Sequence, residues 1–88
     1  MNMDQYKVKE RKHPIGEGVQ IQYRFPNGYG ASVIRGPYSY GGEDGLYELA
    51  VLKSGNICYS TPITDDVLGF LSEDGVSSAL AQIEALEP

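Results

Sequence analysis

The chain has no tryptophan, one cysteine, one histidine, and no lysine or arginine after Lys53. A lone Cys58 cannot close an internal disulfide, and small secreted domains usually carry several, so a reducing cytoplasm is the expected compartment. With His13 as the sole imidazole and Cys58 as the sole thiol, the chain has little from which to build a nucleophilic or zinc-binding constellation. No apolar run approaches the roughly 18 residues of a membrane span, and MNMDQYKVKERKH lacks the apolar core of a signal peptide. No membrane association is expected.

From Ser54 onward the formal charges are all negative: Asp65, Asp66, Glu73, Asp74, Glu84 and Glu87. That surface repels phosphate backbones, so direct nucleic-acid binding is disfavoured. The opposite end is mildly basic, with Lys7, Lys9, Arg11 and Lys12 against Asp4 and Glu10. At 88 residues, 41% hydrophobic and 22% charged, the composition describes one globular domain with a packed core.

Residues 1–16 are polar and aperiodic, which predicts a flexible or loosely docked basic arm ahead of a single α+β domain over 17–88. An early strand around Tyr6 and Val8 is the competing reading. From Gly18 to Phe25, Val19, Ile21, Tyr23 and Phe25 alternate with Gln20, Gln22 and Arg24. That period of two places one face on a core and the other toward water. Pro26-Asn27-Gly28 is a turn in which Gly28 can supply positive φ, and Ala31 to Arg35 returns antiparallel. Gly36 to Gly45 holds too many glycines for a regular element and reads as a long loop.

Leu46 to Lys53 is largely apolar on both sides, beside a lone Glu48, and reads as a central strand that Ser54-Gly55-Asn56 turns into Ile57-Cys58-Tyr59, with a helix as the competing reading because Leu, Glu and Ala are good helix formers. After Pro62, Thr64 has the chemistry of a helix cap, with Asp65 and Asp66 in the first turn and Ile63 and Leu68 at staple spacing. Ser72-Glu73-Asp74 repeats the device, followed by an apolar stripe of Val76, Ala79, Leu80, Ile83 and Leu86. The expected architecture is an antiparallel β-meander of three to five strands, followed by two short C-terminal helices packed on the sheet.

Candidate binding residues are Tyr29, Tyr38, Tyr40, Glu43 and Asp44, because phenol rings among flexible glycines offer large amphipathic contacts at low conformational cost. Rings folded back as satellite core are the competing reading for the loop. Asp65, Asp66, Glu73 and Asp74 form a candidate acidic patch, against the structural role of first-turn acids that favour the helix dipole. Gly41-Gly42-Glu43-Asp44 is similar to the start of the GGDEF signature of diguanylate cyclases, but the following aromatic is absent. No metal, cofactor or catalytic residue is assigned.

Three stretches, Phe25 to Arg35 (FPNGYGASVIR), Ser39 to Leu52 (SYGGEDGLYELAVL) and Thr61 to Val76 (TPITDDVLGFLSEDGV), resemble segments of small uncharacterised proteins encoded by tailed bacteriophages and prophages. The resemblance implies a phage origin, a bacterial host cytoplasm, and accessory factors that occupy a host protein. The expected function is a non-catalytic protein-binding module, such as an inhibitor of a host enzyme or defence complex. A self-associating structural or minor virion protein is the main alternative, and a small enzyme the weaker one.

Overall fold

A computed structural model of the chain describes residues 4–12, 18–36, 44–58, 61, 63 and 67–87. A single 3-10 turn at Asp4–Tyr6 leads into strands β1 (Lys7–Lys12), β2 (Val19–Arg24), β3 (Tyr29–Arg35), β4 (Tyr47–Lys53), β5 (Asn56–Ile57) and β6 (Leu68–Leu71). One helix, α1 (Glu73–Glu84), follows. The strands form one antiparallel sheet in the order β1-β2-β3-β4-β5, with β6 also paired to β4. The α+β class and the antiparallel sheet are as the residue pattern implies, while the strand count and the two helices require correction.

The β2–β3 connection follows from its residues. Gly28 N–H donates to the Phe25 carbonyl at 3.2 Å and Phe25 N–H to the Tyr29 carbonyl at 2.8 Å. This is a three-residue hairpin loop built on a turn with Pro26 at its favoured position, and Gly28 takes the required positive φ of 89°. At the β4–β5 hairpin, Ser54 (φ 53°) and Gly55 (φ 85°) are both left-handed, as a two-residue primed turn demands.

Alternation along β2 places Tyr23 on the helix side, and the register stacks Tyr23 on Ala31 and Val51, and Ile21 on Val33 and Leu49. Against this face α1 lays Val76, Ala79, Leu80 and Ile83, the stripe read from its spacing. With Tyr23 and Phe25 they close a ten-residue core in which Ala31, Val33, Leu49, Val51, Leu80 and Ile83 are fully buried. Ser72 caps the helix start, its Oγ accepting from Gly75 N–H at 3.1 Å.

The other end of α1 has no basic residue in its last turn. Its orphan carbonyls find a partner in the β2–β3 turn. Asn27 Nδ2 donates toward the carbonyl oxygens of Ile83 (2.9 Å), Glu84 (3.1 Å) and Leu86 (2.9 Å). Asn27 Oδ1 meanwhile accepts from Tyr29 N–H at 3.0 Å, which fixes the carboxamide in place. The turn that joins two strands therefore also terminates the helix.

Two expectations are corrected. The helix anticipated from Thr64 through Leu68 is not seen in its described part, because Leu68–Leu71 is strand β6; Thr64, Asp65 and Asp66 lie outside the described residues. Leu68 and Leu71 are three apart, a helical spacing, yet both pack against the core. A bulge makes this compatible with a strand: Leu68 stands opposite Leu49 and Leu71 opposite Tyr47, so two residues of β6 face one of β4. Within the stretch read as an arm, Lys7–Lys12 pair with β2 through a bulge between Lys7 and Lys9. The early strand considered around Tyr6 and Val8 is thus β1, and the described residues form six strands and one α-helix.

Tyr6 docks the start of the chain onto the same corner as Asn27. Its ring meets Phe25 edge-on, with centroids 5.1 Å apart. The Glu84 carboxylate, accepting a hydrogen bond from the phenol, raises the Tyr6 pKa above its ordinary 10.0, with desolvation and the charge of Glu84 adding to the shift. A phenol whose folded-state pKa lies above its unfolded value contributes stability that is complete below the unfolded pKa and is lost as pH rises through the folded one. Unfolding free energy should therefore fall with rising pH through and above pH 10.0, and less steeply in Tyr6→Phe. Identical alkaline slopes in denaturant titrations of the two proteins would contradict this contact.

Candidate functional site

The residues expected to bind are partly redistributed by the fold. Tyr29 stands opposite Lys53 at the end of β4, whereas Asp44 lies just before β4 begins at Tyr47. At about 3.3 Å per strand residue, these two ends are roughly 20 Å apart. Tyr29 is half-buried, packs against the core and has Lys53 Nζ 5.2 Å from its ring centroid. It serves as a lid on the core at that end. Tyr38, Tyr40 and Glu43 lie outside the described residues, as do Asp65 and Asp66.

At the β4-start end, the sheet draws together members of both expected sets. Gly36 closes β3 here and Asp44 leads into β4. Leu71 of β6 pairs with Tyr47, so Phe70, Ser72, Glu73 and Asp74 emerge at the same end. Asp44, Glu73 and Asp74 are exposed. Behind them Arg35 lies over the Tyr47 ring, 5.1 Å from its centroid, with Nη1 donating to the Tyr47 hydroxyl at 3.4 Å. The two cation–ring pairs, Lys53 on Tyr29 and Arg35 on Tyr47, thus close the core at opposite ends of the β3–β4 ladder.

Phe70 went unrecognised in the sequence and is the most unusual residue of this end. It is 62% exposed and sits at φ 54°, a left-handed conformation that is costly for a bulky side chain. The bulge forces it there, since Leu68 and Leu71 are both committed to the core on either side. The outcome is an exposed aromatic ring on the strand that runs directly into the first-turn acids Glu73 and Asp74. A Gly-Phe pair between two core leucines just before a Ser cap was the available signal, and helical spacing of the leucines obscured it.

The remaining reactive groups look structural where they are described. Cys58 is partly buried against the core, and its N–H donates to the Val51 carbonyl at 2.8 Å. This is the small apolar filler that its neighbour Ile57 suggests. His13 lies outside the described residues. Among the described residues no group of three His, Cys, Asp or Glu side chains could hold a metal ion, and no helix is long and apolar enough to cross a membrane.

Compared with protein-family models, with curated proteins and with solved structures, the chain matches none. None of these comparisons indicates a phage origin.

The backbone at Phe70 yields a direct check. Phe70→Gly should relieve the left-handed strain and raise the unfolding free energy by about 1 kcal/mol, while Phe70→Val, β-branched at the same φ, should lower it. Equal losses in both variants, measured by denaturant unfolding, would mean that contacts of the ring outweigh the backbone strain.

Proposed function

We propose that the chain is a non-catalytic protein-binding module whose contact site is the β4-start end of the sheet, with Phe70 as apolar anchor and Asp44, Glu73 and Asp74 around it. The observation that carries this reading is the exposed phenyl ring held in a strained backbone between two partly buried leucines that pack against the core. Strain of this kind persists where the surroundings impose it, and it concentrates at contact and switch positions. An aromatic side chain on a rigid frame loses little entropy on binding, which is the property of an interface anchor. The carboxylates fit a partner surface bearing Lys or Arg around an apolar pocket, and would chiefly speed encounter and set orientation. In the setting that the phage resemblance implies, the partner is a host protein of the bacterial cytoplasm and binding occupies its working surface.

The test is affinity capture from bacterial lysate with the wild-type chain, Phe70→Ser, and the pair Glu73→Gln with Asp74→Asn, each shown to be folded. The reading expects one basic protein to be enriched, to be lost with Phe70→Ser, and to be retained less well at high salt or with the neutralised acids. Capture indifferent to all three changes would reject the site. Turnover of a small molecule by the purified chain would reject the class.

A further inference from the structure

The chain holds three asparagines, and only Asn27 is followed by glycine. In an Asn-Gly pair the side-chain amide is lost most readily, because a glycine has no Cβ to keep its backbone nitrogen away from the preceding carboxamide carbon. Asn56, by contrast, precedes the β-branched Ile57. The labile pair sits at the tip of the β2–β3 turn. Gly28 is exposed, and a Cβ built on it would meet nothing within 4 Å beyond its chain neighbours, so water and base reach its nitrogen.

The same side chain ends α1. Its Nδ2 donates toward the carbonyl oxygens of Ile83, Glu84 and Leu86, and its Oδ1 accepts from Tyr29 N–H. Only the amide nitrogen of this carboxamide can serve those three oxygens, and it is the atom that deamidation removes.

We infer that Asn27 is a site of spontaneous deamidation, where conversion of the amide to an aspartyl or isoaspartyl carboxylate releases the end of α1, and that the clasp itself holds the reaction back until it opens. The Gly28 nitrogen, after giving its proton to solvent base, attacks Asn27 Cγ. A C–N bond forms, the side-chain nitrogen takes up a proton and leaves as ammonia, and a five-membered succinimide remains. Water then opens the ring. Cleavage between Cγ and the Gly28 nitrogen gives the aspartyl product, and cleavage between the backbone carbonyl carbon and that nitrogen gives the isoaspartyl one. Water enters, ammonia departs, and nothing is oxidised or reduced.

The native turn opposes the first step. Gly28 N–H is engaged by the Phe25 carbonyl at 3.2 Å, and the carboxamide is held at both its oxygen and its nitrogen. Asn27 keeps a negative φ, which makes the turn after Pro26 type I, and its position there has ψ of about 0°. Ring closure instead needs the Gly28 nitrogen eclipsed with Cβ about the Cα–C bond. Reaction therefore waits for Asn27 to leave the helix carbonyls, and the product does not return. Its carboxylate has no proton to donate and would face three carbonyl oxygens at the negative end of the helix dipole. The isoaspartyl form also lengthens the loop backbone, against the geometry of the hairpin.

Peptide mapping by mass spectrometry, over a time course at mildly alkaline pH, decides it. Asn27 should lose its amide before Asn56 or any glutamine, at least about tenfold more slowly in the folded chain than in denaturant, as a closed clasp requires. Leu80→Ala, which loosens the helix and is confirmed as folded by circular dichroism, should speed the loss. An isoaspartyl methyltransferase with labelled methyl donor should tag the peptide spanning position 27 in the aged chain. Asn27→Asp, made directly, should lower the folding equilibrium constant at least about fivefold. Equal rates in folded and denatured chains, earlier loss at another amide, no acceleration in Leu80→Ala, or an Asn27→Asp chain as stable as wild type would each overturn the proposal. None of these results bears on capture through Phe70, which lies at the opposite end of the β3–β4 ladder from the Tyr29 corner.

Discussion

One carboxamide ties the two layers of this protein together. Asn27 terminates α1 by donating to carbonyls at residues 83, 84 and 86, and is itself fixed by Tyr29 N–H. The last turn of α1 has no basic residue to complement its dipole. Tyr6, packed on Phe25 and bonded to Glu84, fastens the chain start to the same corner. The register of the β2–β3 hairpin, the seat of the helix and the docking of β1 thus share one anchor. In a domain with so small a core the total stability margin is only a few kcal/mol, about the size of one well-satisfied polar contact of this kind.

How much of this the sequence discloses depends on how local the cause is. The alternation of β2, the Pro-Asn-Gly turn, the central position of β4 and the stripe Val76, Ala79, Leu80, Ile83 are all set by neighbours within a few residues, and they read correctly. Leu68 to Leu71 do not, because a bulge lets residues three apart face the same side. That geometry comes from pairing with β4, not from the segment itself. Residues 7–12 show the same limit: KVKERK has little strand character, and pairing with β2 makes it an edge. The clasp by Asn27 was also hidden, since its partners lie 56 to 59 residues away.

The surfaces divide by chemistry. Glu73 and Asp74 serve the dipole of α1, and the exposed ring of Phe70 lies on the strand just before them. That ring stands at φ 54° because two leucines beside it are spent on the core. By the strand register the reverse face of the sheet carries residues 9 and 11 of β1 as well as Arg24 and Glu48, with Gln20, Gln22 and Ser32 beside the apolar Ile34, Ala50 and Leu52.

The measurement that most directly tests this account is native-state hydrogen exchange on the wild-type chain and Asn27→Ala. If the clasp makes helix and sheet one cooperative unit, the amides of Leu80 and Ile83 and those of Val33 and Leu49 should exchange through the same opening, and in the variant all four should lose protection together, by about 1–3 kcal/mol. Protection lost in α1 while the sheet amides stay unchanged, or no loss in either layer, would show that the layers do not depend on Asn27.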